Sequence, residues 1–251
     1  MTDQEKLRKL EELRKQRDEL DRLISELSAP EATGTNIPYT KEFLSAWPPR
    51  EDIALEKYDP KELLQIKMFV NKKCNQISTD YGHTSALVRE LMPYREHKLF
   101  IELFARRLIE QGRVQVSAHL ESYKPLGYVL VTLDCERLVQ AYFKLAMARM
   151  CGESEIRGIY AIYFGYLNLK EDHAACWFWL AGILNCLPNG LSGYVLEAFL
   201  LVCGEMMHEK CGLRFLKILR YIKKHYLQEL QNRPVETRIA SIIANYDREI
   251  K

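Results

Sequence analysis

The chain has 251 residues, 47% hydrophobic and 10% aromatic, which supplies enough apolar surface for one substantial core and a short appendage. Its 36 basic and 34 acidic side chains leave a formal charge of +2, so no chain-wide field attracts nucleic acid or membrane surface, and any basic site must be a local cluster. The seven cysteines are an odd number spread through apolar stretches, and the opening MTDQEKLRKL has no apolar signal core, so the expectation is a reduced compartment, cytosol or nucleus.

Along the chain, residues 1–28 come first. Leu10, Leu13, Leu20, Ile24 and Leu27 recur at three- and four-residue steps, with Arg17 on the seam and Glu, Lys and Arg on the other faces. This spacing predicts a short coiled-coil helix capable of self-association. From 29 to 59 the helical rhythm is broken by Pro30, Gly34, Pro38, Pro48 and Pro49, just ahead of Pro60, which predicts a Pro-rich, partly extended linker. Tyr39, Phe43, Trp47 and Tyr58 are too apolar for a free tether, so part of this linker should lie across the following domain with Trp47 as a packing anchor.

Residues 60–251 show helix signals in succession and no alternating strand pattern. The expected helices are 60–72, 82–92, 96–111, 124–132, 136–150, 155–167, 173–186, 191–208, 212–231 and 234–249. Pro93, Gly112, Gly152 and the Pro188 and Gly190 pair serve as stops. Stretches such as 159–169 and 193–207 are apolar on more than one face, as expected of central helices, yet both are interrupted well short of the roughly 20 residues a bilayer requires. The predicted fold is all-α, an antiparallel HEAT-repeat-like stack inferred from helix order without a fixed-period repeat. Trp177, Trp179, Leu180, Leu196, Phe199, Leu216 and Leu219 are expected in its core.

Chemistry-bearing motifs are absent: there is no GxxxxGK[ST], GxGxxG, HExxH or GxSxG, and the glycines stand singly. His173 with Cys176, and Cys203 with His208 and Cys211, lack the paired short spacings of a zinc site and are expected as core thiols and their neighbours. The expectation is therefore a protein that binds other macromolecules and is not an enzyme. Three basic clusters are candidates for contact with an acidic partner: Lys72 and Lys73; Lys98, Arg106, Arg107 and Arg113; and Arg220, Lys223 and Lys224.

The blocks VNKKCNQIS (70–78), FARRLIEQGRVQVSAHLES (104–122), WFWLAGILNCLP (177–188), LEAFLLVCG (196–204) and LKILRYIKKHY (216–226) occur in this order. Together they resemble the C-terminal domain of the GLFG-lethal (Gle-one) family of nuclear-pore mRNA-export mediators. The chain looks like a reduced, divergent member. The resemblance implies an mRNA-export factor at the cytoplasmic face of the nuclear pore, and in the cytoplasm. It would bind and stimulate a DEAD-box RNA helicase and promote RNA release from exported messenger particles. FG nucleoporins and pore-scaffold nucleoporins are implied as further partners, with neither direct nucleic-acid nor membrane binding. A non-catalytic helical scaffold of translation-factor type, without effect on any ATPase, is the alternative.

Some family members use inositol hexakisphosphate to bridge to the helicase, with cations on the helices matching 102–111 and 144–151. In this chain the resemblance maps that site onto Arg107, Lys144 and Arg149, while Glu110 stands where a cation is usual and Ala148 and Met150 replace polar or basic residues. A dense polyanion needs several converging cations. The expectation is that the polyphosphate is not required here, and that Arg220, Lys223 and Lys224 contact the partner directly.

Overall fold

Short side chains that cap helix N-termini decide where most of the helices begin. Thr40 precedes α1 (Lys41–Ser45), Asp59 with Pro60 opens α2 (Pro60–Cys74), and Asp80 opens α3 (Tyr81–Leu91). His97 opens α4 (Lys98–Gln111), and its ring nitrogen accepts from the Phe100 amide at 3.3 Å. Each cap satisfies an amide that has no partner within the helix. The chain continues through α5 (Tyr123–Leu133), α6 (Glu136–Ala148), α7 (Glu153–Leu169), α8 (His173–Leu184), α9 (Ser192–Cys211), α10 (Leu213–Lys224) and α11 (Arg233–Asp247). This computed structural model describes residues 37–47, 55–148, 152–230 and 232–247, and among them there is no strand. The expected coiled coil at 1–28 lies outside the described residues, as does much of 29–59.

The architecture is an all-α stack in which each helix packs chiefly on the helix two places along. α2, α4 and α6 form one row, and α3, α5, α7, α9 and α11 form the other, with α8 and α10 against α9. α7 sits at the centre. It touches α4, α5, α6, α8 and α9, which explains why Ile159, Tyr160, Ala161, Ile162 and Phe164 are all buried.

Two glycines let the neighbours approach α7. Gly158 and Gly165 are seven residues apart and so share one face. A Cβ on Gly158 would collide with the Gly112 carbonyl oxygen and sit 2.5 Å from the Ser117 amide nitrogen; one on Gly165 would sit 2.5 Å from the Tyr123 ring. Gly112 was expected as a helix stop, but α4 runs on through it as a π-turn over Gly112–Val116. The widened turn lies against α7 at Gly158, so backbone contact with the neighbouring helix, and not a left-handed cap, is what the glycine serves.

Residues 37–47 pack on the core through the buried Ile37, Tyr39 and Phe43. The Thr40 amide donates to the Gly182 carbonyl of α8 at 2.9 Å, and Phe43 rests where a Gly182 side chain would stand. Phe43 stacks on Tyr39 at 4.4 Å and on Phe178 at 5.1 Å, and Trp47 packs at 4.5 Å on Phe143 of α6. Two hydrogen bonds run along the same line: the Trp179 indole N–H donates to the Tyr39 hydroxyl at 3.2 Å, and Tyr39 donates to Tyr160 at 3.1 Å. Aromatic area combined with satisfied hydroxyls holds a proline-flanked segment that has too little helix of its own to persist alone.

Two further expectations change. Six of the seven residues expected in the core are buried, but Trp177 is only partly so. It stands two residues before the buried Trp179, about 200° around the helix, and so faces the other way. The helix expected over 212–231 ends at Lys224; His225, at φ −123°, breaks it, and a 3-10 turn follows at Tyr226–Glu229. That break allows Tyr226, Leu227 and Leu230 to turn back into the core.

Candidate partner-binding surfaces

On α4 the cationic margin is largely neutralised from within. Arg106 pairs with the buried Glu102, one turn earlier. Arg113 bonds to Glu110 at 2.9 Å and to Glu155 of α7 at 3.3 Å, and these carboxylates raise its affinity for the proton. Glu110 therefore does not stand as a bare negative charge, as its sequence position suggested. In the α2 cluster, Lys73 is buried, pairs with Glu90 and holds that carboxyl below its usual range through the hydrogen bond.

Arg107 is half-buried, and its terminal nitrogen donates to Asn75 Oδ1 at 2.8 Å, while its buried Nε has no hydrogen-bond partner among the described residues. Lys144 is half-buried on α6, which packs on α4. Arg149 lies outside the described residues. Of the three cations expected around a polyphosphate, then, Arg107 and Lys144 are on adjoining helices, and Arg107 is already spanning to α2.

The second surface is α10. Its sequence LRFLKILRYIKK carries no acid, and Phe215, Leu216, Leu219 and Ile222 bury one face. Arg214, Lys217, Arg220, Lys223 and Lys224 are all exposed. Of the expected trio, helical spacing puts Lys224 on the side of Tyr221, Arg220 at the margin, and Lys223 well around the cylinder beside the buried face. The trio is therefore not one converging patch. Arg214 and Lys217, which sequence inspection had not singled out, share the Tyr221 side with Lys224.

That side borders a groove. A cavity of about 320 Å³ between α8 and α10 is lined by Trp177, Leu180, Ala181, Leu184, Ile218 and Tyr221, with Asn185 at its end. The groove is not legible in the sequence, because the apolar composition of α8 is that of a helix buried on all sides. The one available signal was the lack of any charge in ACWFWLAGIL, with Trp177 out of phase with Trp179.

Metal chemistry finds no support among the described residues, where no His, Cys, Asp and Glu group could hold an ion. Cys176 and Cys203 are buried, the Cys203 thiol donates to the Phe164 carbonyl at 3.3 Å, and burial pushes its pKa well up. No helix among the described residues is long and apolar enough to cross a membrane.

No family model matches the chain. Over 69 residues it is 33% identical to the mRNA export factor GLE1 of Arabidopsis thaliana, a stretch amounting to 27% of this chain and 11% of the plant protein. The fold is similar to a chain of the solved S. cerevisiae complex of a Dbp5 C-terminal domain variant bound to Gle1 and IP6. The two share 14% identity and a TM-score of 0.65 over 78% of this chain and 88% of that one. A second such complex, carrying a Gle1 variant, matches at 13% identity with the same TM-score and coverage. The chain is thus similar to a GLE1 protein over a local stretch spanning 11% of that relative's length, and its helical fold is similar to a chain of two complexes that contain Gle1.

Proposed function

We propose that this domain serves mRNA export by binding a DEAD-box RNA helicase, with no catalytic centre of its own. The observation that carries the reading is the shared fold with a chain of a complex in which a Dbp5 domain is bound to Gle1 and IP6. The work would be done by differential affinity: a rigid stack that binds one arrangement of the helicase lobes better than another shifts that equilibrium and so speeds ATP turnover and RNA release. Its place would be the cytoplasmic side of the nuclear pore, with nucleoporins as anchors.

In this reading the polyphosphate is dispensable. Arg106 and Arg113 are committed to carboxylates and Arg107 to Asn75, which reduces the cations that the described residues offer to a dense polyanion. The test is RNA-stimulated ATP hydrolysis by the cognate DEAD-box protein, with and without the full chain and with and without inositol hexakisphosphate. A severalfold rise that does not depend on the polyphosphate is expected. An unchanged rate would instead favour a scaffold without effect on the ATPase, and calorimetry giving a sub-micromolar, Arg107-dependent affinity for inositol hexakisphosphate would refute the dispensability.

A further inference from the structure

We propose that the groove between α8 and α10 is a docking site for an acidic amphipathic helix of a partner protein. This does not rest on the helicase reading; it starts from α8 itself. From Ala174 to Leu184 this helix has no charged residue, which is the composition of a helix covered on every side. Yet it is not so covered. Phe43 and α9 take two of its sides, while Trp177, Ala181 and Asn185 face the groove and Ala181 is exposed.

The shape suits a helix more than a small molecule. The α8 lining recurs at Trp177, Leu180 and Ala181, and Leu184 and Asn185, which spans about two turns, on the order of 12 Å. Apolar anchors at i, i+3 or i+4, and i+7 of a partner helix match that length. The opposite wall offers Ile218 and Tyr221, the latter 44% exposed and so available to close over an anchor. A volume of about 320 Å³ holds side-chain anchors and is at the small end for a whole ligand.

Charge selects the class of partner. Arg214, Lys217 and Lys224 lie along the Tyr221 side of α10, all are exposed, and none makes an ion pair among the described residues. No acid on α10 offsets them. Such a rim attracts Asp and Glu flanking the apolar anchors and repels a basic helix, giving specificity and a salt-dependent association rate.

The test is selection of a random 16-residue peptide library displayed on phage against the full chain at physiological salt. Enriched peptides should carry apolar residues at helical spacing with Asp or Glu on the flanks. Two variants then separate groove from charge: Ala181→Gln, which fills the groove without adding charge, and Lys217→Glu with Lys224→Glu. Both alter exposed positions, and unchanged thermal unfolding confirms that each is folded. Each should weaken binding of the selected peptides by at least about tenfold. The proposal is overturned by selection that enriches nothing, by enriched peptides lacking acids, or by peptides that bind the Ala181→Gln chain as well as the parent. An RNA oligonucleotide sensitive to the charge reversals alone would reassign the cations to nucleic acid, and a dimer dissolved by Ala181→Gln would reassign the groove to a second copy; either outcome also overturns it.

Discussion

Glu197 of α9, its side chain 3% exposed, accepts two hydrogen bonds from the Arg238 guanidinium of α11, at 2.8 and 2.9 Å. On its other side Arg157 of α7 approaches at 3.4 Å and also donates to the Ser117 carbonyl at 3.5 Å. A single buried carboxylate thus ties three successive helices of one row. That contact raises the affinity of Arg238 for its proton, the hydrogen bond it donates to Glu197 being the main cause.

Removing Glu197 takes the shared acceptor from two arginines whose side chains are 43% and 26% exposed. Glu197→Ala removes the hydrogen bonds that join Arg157 and Arg238, and should cost about 1–3 kcal/mol in urea unfolding. Arg238→Ala should cost less, because Arg157 stays in place. If Glu197→Ala unfolded at the parent midpoint, the triad would have no structural role.

The approach of α7 to the π-turn leaves no room for a methyl group. Gly158→Ala should destabilise by about 2–3 kcal/mol, since the colliding atoms are backbone and cannot rotate away. Gly190→Ala, where an added Cβ meets nothing within 4 Å, is the control and should lie within about 0.5 kcal/mol of the parent. Equal melting temperatures for the two variants would contradict the close packing.

Trp179 is 1% exposed, stacked on Phe199 at 4.9 Å and hydrogen-bonded to Tyr39. Trp179→Ala should cost about 3–5 kcal/mol. Tyr39→Phe keeps the ring but leaves the indole N–H unpaired, at about 1–3 kcal/mol. It should also raise the rate at which protease cleaves within 37–47; protection equal to that of the parent would mean that the hydrogen-bond chain does not anchor the segment.

Thiol reactivity follows burial, because the thiolate is the reacting form. Burial pushes Cys74 up to about 12 and raises Cys135, Cys186 and Cys203. In the native chain at pH 8, alkylation followed by mass spectrometry should therefore modify the half-exposed Cys211 ahead of every other described cysteine, with Cys74 and Cys203 reacting only on unfolding. Raising the pH to 9 should still leave Cys74 unlabelled, since that pH is well below about 12. Early labelling of Cys74 would show that the α2 end opens readily.

Local chemistry was sufficient to place several helix starts. α2 was expected over 60–72 and spans Pro60–Cys74; α6 was expected from 136 and begins at Glu136; α8 was expected from 173 and begins at His173. Apolar residues at i, i+3 and i+4, a capping Asp and a Pro at the first turn act within a few residues of one another, so they are visible in one dimension. The all-α class follows from the same signals. Which basic residues remain available was decided only by tertiary contact: Lys73 meets Glu90 of the next helix, and Arg113 meets Glu155 of α7. The same holds for Phe43 filling the space above Gly182 and for Trp177 facing a groove when Trp179 faces the core. Periodicity states that a helix has an apolar side; which side another helix leaves uncovered depends on elements distant in sequence, and only the assembled stack determines it.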